Sequence, residues 1–164
     1  MSACVFPGSF DPITRGHMDL IERVAVLFDS VTVTVMVNRS KTGMIPYEER
    51  VRLIRKACAH LPNVKVELWK GLLADYMRDR PGSVVIRGVR GENEFCQEML
   101  SADMNRRLNP SMETLLIPAS AEWLGVSSSA VREIASFGGD IREYVPECIC
   151  REIRKWLNPA EAAE

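Results

Sequence analysis

The sequence has almost no excess of either charge and no long apolar run. Its 21 lysine and arginine residues balance 22 aspartate and glutamate residues, which leaves a formal net charge of −1. This balance gives no electrostatic reason to expect a nucleic-acid or membrane-surface partner. No apolar stretch approaches the roughly 20 residues that cross a bilayer, and the N-terminus lacks the basic and apolar regions of a secretory signal.

Cysteine is infrequent and irregularly spaced. An odd number of cysteines without a C-x-x-C pair argues against a disulfide framework and against a zinc or thiol–disulfide site. We therefore expect free thiols in a reducing cytoplasm. The residues are Cys4, Cys58, Cys96, Cys148 and Cys150.

Several catalytic signatures are also missing. There is no G-x-G-x-x-G, which disfavours a dinucleotide-binding dehydrogenase, and no G-x-x-x-x-G-K precedes Lys41, which excludes a P-loop. With only two histidines, the chain shows no Ser-His-Asp set and no cluster of metal ligands. Hydrolysis through a covalent intermediate is not indicated.

Strand-like and helix-like runs alternate along the 164 residues. Apolar, mostly β-branched runs predict strands at 3–6, 31–37, 83–86 and 114–117, with 64–68 as a further sheet candidate. Apolar stripes at spacings of three and four predict helices from 18 onward and at 46–61, 72–80, 92–108, 127–137 and 146–157. This order predicts one Rossmann-like α/β domain over 1–157, a five-stranded parallel sheet with helices on both faces, and a frayed tail at 158–164.

Parallel sheets of this kind bind ligands beyond the carboxyl ends of their strands. Functional residues are therefore expected directly after each strand, in segments that are distant in sequence but share one rim. These segments are 8–17, 38–41, 70–73, 87–90 and 118–129.

The first of these segments, PGSFDPITRGH at 7–17, has the character of an anion site. Gly8 and Ser9 precede a helix start, where free N–H groups and the helix dipole attract negative charge. His17 falls in the first turn of that helix, within reach of the same anion. The plainer interpretation is a turn shaped by Pro and Gly with an incidental histidine, and it explains less of the segment.

Three further segments supply cationic or hydroxyl groups. Arg87 and Arg90 flank Gly88 after the fourth strand, and arginine suits bidentate phosphate contacts; alone they could be a solvated basic loop. Ser127 to Ser129 stand at another helix start, where one serine would suffice as N-cap. Lys41 alone is a surface lysine, but on this rim it is a candidate cation for a charged substrate.

A site of cations, hydroxyls and helix starts without a nucleophile suits phosphoryl or nucleotidyl transfer. In such a reaction the acceptor can be the substrate's own phosphate, while the protein supplies position and charge stabilisation.

These residues also resemble a known family. GSFDPITRGH, with its T-x-G-H element at 14–17, and VSSSAVRE resemble the two motifs of the nucleotidylyltransferases. The finer match is to the bacterial phosphopantetheine adenylyltransferases and covers nearly the whole chain in order. Its supporting stretches are SKTGM at 40–44, EER at 48–50, GLLADY at 71–76, VIRGVR at 85–90, EMLSADMNRRL at 98–108 and EWLGVSSS at 122–129.

The resemblance implies transfer of the adenylyl group of ATP to 4′-phosphopantetheine with Mg²⁺, giving dephospho-coenzyme A and pyrophosphate, in a cytoplasmic homohexamer. It implies a catalytic set of His17, Lys41 and Arg90, with His17 stabilising the transition state. The acceptor would contact Ser9, Lys41, Leu73 and Arg87. ATP would contact Ser9, Phe10, His17, Gly88, Val89, Arg90, Glu98, Trp123, Leu124, Gly125, Val126, Ser127, Ser128 and Ser129.

Two positions depart from the family pattern: Ser9 replaces a threonine of some relatives, and Gln97 stands where an aromatic residue beside the adenine is expected. Two alternatives stay open. One is a nucleotidylyltransferase of the same fold with another acceptor or nucleotide, such as nicotinamide mononucleotide or CTP. The other is a non-catalytic nucleotide-binding module, which would have no need for a positioned His17.

Overall fold

The computed structural model describes residues 2–37 and 43–158, in which strands and helices alternate as predicted. Within these ranges the strands are β1 (Ala3–Gly8), β2 (Ser30–Met36), β3 (Val64–Trp69), β4 (Ser83–Val89) and β5 (Thr114–Pro118). The helices are α1 (Arg15–Leu27), α2 (Tyr47–Ala57), α3 (Leu73–Arg78), α4 (Glu92–Leu108), α5 (Ser128–Ser136) and α6 (Glu147–Leu157), with a 3₁₀ turn at Ala121–Trp123. No helix in the described ranges is long and apolar enough to cross a membrane.

The element types follow the predictions, and the boundaries differ at a few ends. The helix predicted over 92–108 has those bounds, and the candidate at 64–68 is the edge strand β3. The helices predicted at 46–61 and 72–80 end earlier, at Ala57 and Arg78. The strand predicted at 83–86 continues to Val89, because all five residues of β5 pair with residues 85–89 of β4. Most of the predicted tail lies outside the described residues.

The strand order places a cleft in the middle of the sheet. All described pairings are parallel, in the order β3-β2-β1-β4-β5. The chain builds outward from β1 to β3 and then crosses back to add β4 on the other side of β1. Because successive connections leave in opposite directions at β1 and β4, their carboxyl ends form the topological switch point at which such sheets bind ligands.

At this switch point the two central strands separate. Pairing between β1 and β4 stops at Val5 and Val85, although both strands continue for several residues. Beyond that point β1 pairs only with β2, and β4 only with β5. One guanidinium spans the gap, since Nη1 of Arg87 donates to the carbonyl of Pro7 at 2.7 Å.

The two faces of the sheet carry unequal cores, as alternation along β1 illustrates. Cys4 and Phe6 point into a large cluster formed with α1, α2, α5 and α6, whereas Val5 points into a smaller one with α3. The larger cluster includes buried residues of α6 at spacings of one, three and four: Ile149, Cys150, Ile153 and Leu157. Helices thus cover both faces, as the sequence predicted.

Helix α4 lies on the thinner side and buries none of its residues. Several of its large apolar side chains are exposed, and Leu115 of the edge strand β5 is exposed as well. The exposed residues of α4 are Phe95, Met99, Leu100, Met104 and Leu108. Several exposed large apolar side chains on one helix are typical of a surface that binds another protein.

Candidate active site

The predicted rim residues surround a cavity of about 400 Å³ at the carboxyl ends of β1 and β4. This volume is in the range of small-molecule sites. Sequence-predicted residues that line it are Ser9, Phe10, His17, Arg87, Gly88, Arg90, Glu98, Trp123, Val126, Ser127, Ser128 and Ser129. Segments separated by more than 100 residues in the chain therefore meet at one site.

The loop after β1 is shaped around a buried aromatic ring. Phe10 adopts a left-handed conformation with φ of 46°, which is rare for a residue with a side chain and marks local strain. Its ring packs edge-on against the His17 ring, with the centroids 5.1 Å apart. A Cβ at Gly8 would approach Phe10 Cζ to 2.9 Å, so glycine is needed for this packing. The strained loop thus positions the Phe10 ring against the His17 ring.

His17 is held by the cap of its own helix. Thr14 is the N-cap of α1, and its hydroxyl accepts from the backbone N–H of His17. In return, Nδ1 of His17 accepts from the backbone N–H of Thr14 at 3.0 Å. This capping box uses a histidine in place of the usual Glu or Gln. Because Nδ1 is an acceptor, the proton of the neutral ring lies on Nε2, which is left as a donor.

The surroundings of His17 disfavour its protonated form. Burial is the main cause, followed by the positive charges of Arg90 and Arg87, and together they lower the pKa of His17 from 6.5 to about 4. Protonation of Nδ1 would also set two N–H donors against each other at Thr14. At neutral pH His17 is therefore a neutral hydrogen-bond donor in a cationic site.

Arg87 of β4 and Arg90, which directly follows β4, line the cavity, and each is held by a carboxylate of α4. Arg87 donates to both oxygens of Glu98, at 2.8 and 2.6 Å. Arg90 pairs with Glu94 in the same way, and its Nη1 donates to the carbonyl of Val126 at 2.8 Å. The last contact draws the segment before α5 toward β4. Both arginines and Glu98 were predicted as site residues, whereas Glu94 and the two ion pairs were not.

The start of α5 faces the same cavity as the start of α1. Ser127 is the N-cap, and its hydroxyl accepts from the N–H of Ala130 at 3.1 Å, as its position predicted. The hydroxyl of Ser128 donates to the carbonyl of Pro12, and that of Ser129 accepts from Arg132. The hydroxyls thus tie the loop together. The first-turn N–H groups of the helix, which have no intrahelical acceptor, are the anion donors at this end.

Three residues that line the larger cavity and have partners far away in the sequence were not predicted: Asp11, Arg50 and Arg132. Asp11 and Arg50 form an ion pair whose side chains are 9% and 3% exposed. Arg50 also donates to the carbonyl of Ser9, and Asp11 accepts from the N–H groups of Met44 and Ile45. This pair joins the loop after β1 to the segment that follows residues 38–42. No spacing in the sequence marks it.

Arg132 also lines the cavity, beside Ser129, and donates to the carbonyl of Asp11 at 2.6 Å. Arg132 could have been predicted as a site residue, because it is three positions after Ser129 and therefore lies on the same helix face.

A smaller cavity of about 290 Å³ adjoins the first. It contains Leu73, the residue predicted after β3, together with Met36, Ala102 and Asn105. The two cavities share lining residues on either side of the β1–β4 gap. The shared residues are Pro7, Gly8, Ser9, Arg87 and Glu98. Two ligands could therefore lie end to end and meet at Arg87.

Some predicted site residues are not among those that line the larger cavity. Val89, Leu124 and Gly125 are next to lining residues, and Gln97 is exposed on α4. Lys41 lies outside the described residues, so its place on the rim stays a prediction.

Comparison with known proteins identifies relatives over most of the chain. Residues 5–134 match the family model described as cytidylyltransferase-like. Two curated proteins named phosphopantetheine adenylyltransferase are similar: that of Finegoldia magna is 46% identical, over 94% of this chain and 95% of its own. That of Heliobacterium modesticaldum is 44% identical, over 91% of this chain and 89% of its own.

Solved structures share the fold at low sequence identity. A putative nicotinate-nucleotide adenylyltransferase from Vibrio parahaemolyticus has a TM-score of 0.65 at 17% identity, covering 96% of this chain and 97% of its own. The nicotinic acid mononucleotide adenylyltransferase of Plasmodium falciparum, complexed with NaAD, has a TM-score of 0.61 at 17% identity, covering 92% of this chain and 95% of its own.

The ionisation of His17 can be measured directly. In the His60→Gln variant His17 is the only histidine, so its imidazole ¹⁵N signals can be followed by NMR against pH. We expect a midpoint near pH 4, with the proton on Nε2 above it. Because this pKa lies below 6.5, the unfolded chain binds the proton first, and stability is lost as pH falls from 6.5 toward 4. A midpoint near 6.5 would contradict the neutral donor.

Proposed function

The chain belongs to the phosphopantetheine adenylyltransferases, within the cytidylyltransferase-like family, and we propose how its site transfers the adenylyl group of ATP to 4′-phosphopantetheine. The observation that carries the proposal is the pair of cavities that meet at Arg87. ATP occupies the larger cavity and the acceptor the smaller one. The acceptor's phosphate then faces the α-phosphorus of ATP at the junction between β1 and β4.

The acceptor's phosphate oxygen attacks the α-phosphorus directly. A new P–O bond forms as the bond to the β-phosphate oxygen breaks, giving dephospho-coenzyme A and pyrophosphate. No protein nucleophile is required, so the protein contributes alignment and charge stabilisation. His17 donates from Nε2 to an α-phosphate oxygen, and Ser9 lies beside it. Because the neutral ring loses no proton in the transfer, it acts as a fixed donor aimed at developing charge.

The outer phosphates of ATP bind at the start of α5. The first-turn N–H groups at Ser128 and Ser129 supply donors, and Arg132 supplies positive charge beside them. Arg90, directly after β4, contacts the phosphates from the other side. Trp123 and Val126 line the nucleotide side of the cavity, with Phe10, Gly88 and Glu98 completing the predicted contacts near the junction.

The acceptor binds through its phosphate at one end and its apolar arm at the other. Arg87 takes the phosphate, and Lys41, carried over from the resemblance, adds a second cation. Leu73 and Met36 line the apolar part of the smaller cavity, where the pantetheine arm lies. This division explains why one arginine belongs to both cavities.

Mg²⁺ enters this site as part of the Mg–ATP substrate. Among the described residues no group of three or more His, Cys, Asp or Glu side chains could hold a metal ion. The carboxylates that line the larger cavity, Asp11, Glu94 and Glu98, are each paired with an arginine. Mg²⁺ prefers to keep several waters, so ATP phosphates and water would hold it and neutralise phosphate charge.

Assembly and location complete the proposal. Contact with a second copy of the chain would remove the exposed apolar side chains of α4 from water. This supports the homohexamer implied by the resemblance. All five cysteines are free thiols, which supports a reducing cytoplasm.

The choice of acceptor is tested by pyrophosphate release with Mg–ATP and a panel of acceptors. We expect release with 4′-phosphopantetheine and none with pantetheine, since the unphosphorylated molecule lacks the attacking group. Replacing ATP with CTP tests the nucleotide. Faster release with nicotinamide or nicotinate mononucleotide would overturn the proposed acceptor, and no release with any of them would favour a non-catalytic module.

The role of His17 is tested by His17→Ala, with His60→Ala as the matched control. Loss of a donor aimed at transition-state charge should lower kcat by roughly 10²-fold or more and change ATP binding far less. His60 is exposed and pairs with Glu22 away from the cavity, so its loss should leave turnover unchanged. Equal turnover of the two variants would refute the assigned role.

The self-association surface is tested by Leu100→Lys, with Leu27→Lys as the control. The two side chains are 68% and 69% exposed, but Leu27 ends α1 rather than lying on α4. We expect light scattering to give a smaller assembly for the first variant and the full assembly for the second. A monomeric unmodified protein, or the same mass for both variants, would contradict the α4 interface.

A further inference from the structure

Helix α4 places two carboxylates against the two arginines of the site. Glu94 and Glu98 are one helical turn apart, so both lie on the helix face toward β4. Glu98 pairs with Arg87 and Glu94 pairs with Arg90. The large apolar side chains of α4, by contrast, are exposed. The contacts of the helix with the site are therefore mainly ionic.

Each of the three side-chain nitrogens of Arg87 donates a hydrogen bond in this arrangement. Nε and Nη2 form a bidentate fork on the two oxygens of Glu98, and Nη1 donates to the carbonyl of Pro7. A phosphate that binds Arg87 through its Nε–Nη2 edge uses the same pair of donors, because its oxygens match that edge as a carboxylate does. Glu98 and a bidentate phosphate therefore cannot hold that edge of Arg87 together.

Arg90 repeats the arrangement. Its Nε and Nη2 donate to the carboxylate of Glu94, and its backbone N–H donates to the same side chain at 2.9 Å. These hydrogen bonds from Arg90 lower the pKa of Glu94, so the carboxylate is ionised at neutral pH. A ligand phosphate must displace an anion here too.

The pairs lie in partly desolvated positions. The side chains of Arg87 and Glu98 are 32% and 19% exposed, so the pair is stronger than one at the open surface. Breaking it leaves the core intact, because α4 buries none of its residues. The carboxylates can thus be exchanged for other anions at a moderate cost.

We propose that Glu98 is an internal competitor for the acceptor's phosphate on Arg87, and that Glu94 is the corresponding competitor for ATP on Arg90. Each substrate binds by replacing a carboxylate, so the two residues set substrate affinity. The exchange also adds to selectivity, because pantetheine without a phosphate has no group that can displace Glu98. This inference rests on the proposed function and deepens it by assigning the two carboxylates.

The test is a crossed pair of charge-removing variants, Glu98→Gln and Glu94→Gln, with Glu92→Gln as control. Glu92 is exposed in the first turn of the same helix, so its variant carries the same charge change away from the arginines. Dissociation constants for 4′-phosphopantetheine and for ATP are measured by calorimetry. Melting temperatures show that each variant is folded.

Removal of a competitor should tighten binding of the substrate that replaces it. We expect Glu98→Gln to lower the dissociation constant of 4′-phosphopantetheine by roughly threefold to tenfold, and Glu94→Gln to do so for ATP. Pantetheine should gain nothing from Glu98→Gln. In an Arg87→Lys background the effect of Glu98→Gln should disappear, because a lysine cannot form the fork on which the competition depends.

Opposite results are equally informative. Weaker phosphate binding in Glu98→Gln would overturn the proposal, because Glu98 would then orient Arg87 for the substrate. Unchanged binding in both variants would overturn it as well. The proposed function fails separately, if the unmodified protein releases no pyrophosphate with 4′-phosphopantetheine. If another phosphorylated acceptor is used instead, the same measurements are made with that acceptor.

Discussion

The site depends on the separation of two adjacent strands. β1 and β4 pair only as far as Val5 and Val85, and the space that opens beyond them is the cleft. Arg87 spans that space by donating to the carbonyl of Pro7. Proline has no N–H, so it presents only an acceptor there. Both residues of this hydrogen bond line both cavities, so the separated strands are the frame for the two substrates of the proposed reaction.

Around this gap, the positive charge available to a phosphate comes from arginine side chains and not from the histidine. Arg87, Arg90 and Arg132 supply the positive charge, while burial and the neighbouring arginines keep His17 neutral. In the proposed reaction, a neutral donor directs one hydrogen bond at an α-phosphate oxygen without adding to the repulsion among cations. The capping bond from Thr14 determines which ring nitrogen carries the proton.

Much of this could be predicted from local pattern. The β-branched runs predicted the strands. Because parallel sheets bind ligands beyond the carboxyl ends of their strands, His17, Arg87 and Ser127 were predicted to lie on one rim. The Asp11–Arg50 pair and the carboxylates opposite the arginines could not be assigned in the same way. Asp11 and Arg50 are 39 positions apart in sequence, and no periodicity connects them. Glu94 was not predicted, and Glu98 was named only through the resemblance, because the arginines that pair with them lie outside α4.

The alternation of elements and the family could be read from the amino-acid order alone, and so could the prediction that the loop from Gly8 to His17 binds an anion. These properties reside in local residue chemistry, in spacing and in motif order. The packed structure was needed to show that β1 and β4 are neighbours, where their pairing ends, and that Arg87 donates to the carbonyl of Pro7 across the gap. Those features come from strand order and long-range hydrogen bonds, and they exist only once segments far apart in the chain have packed against each other.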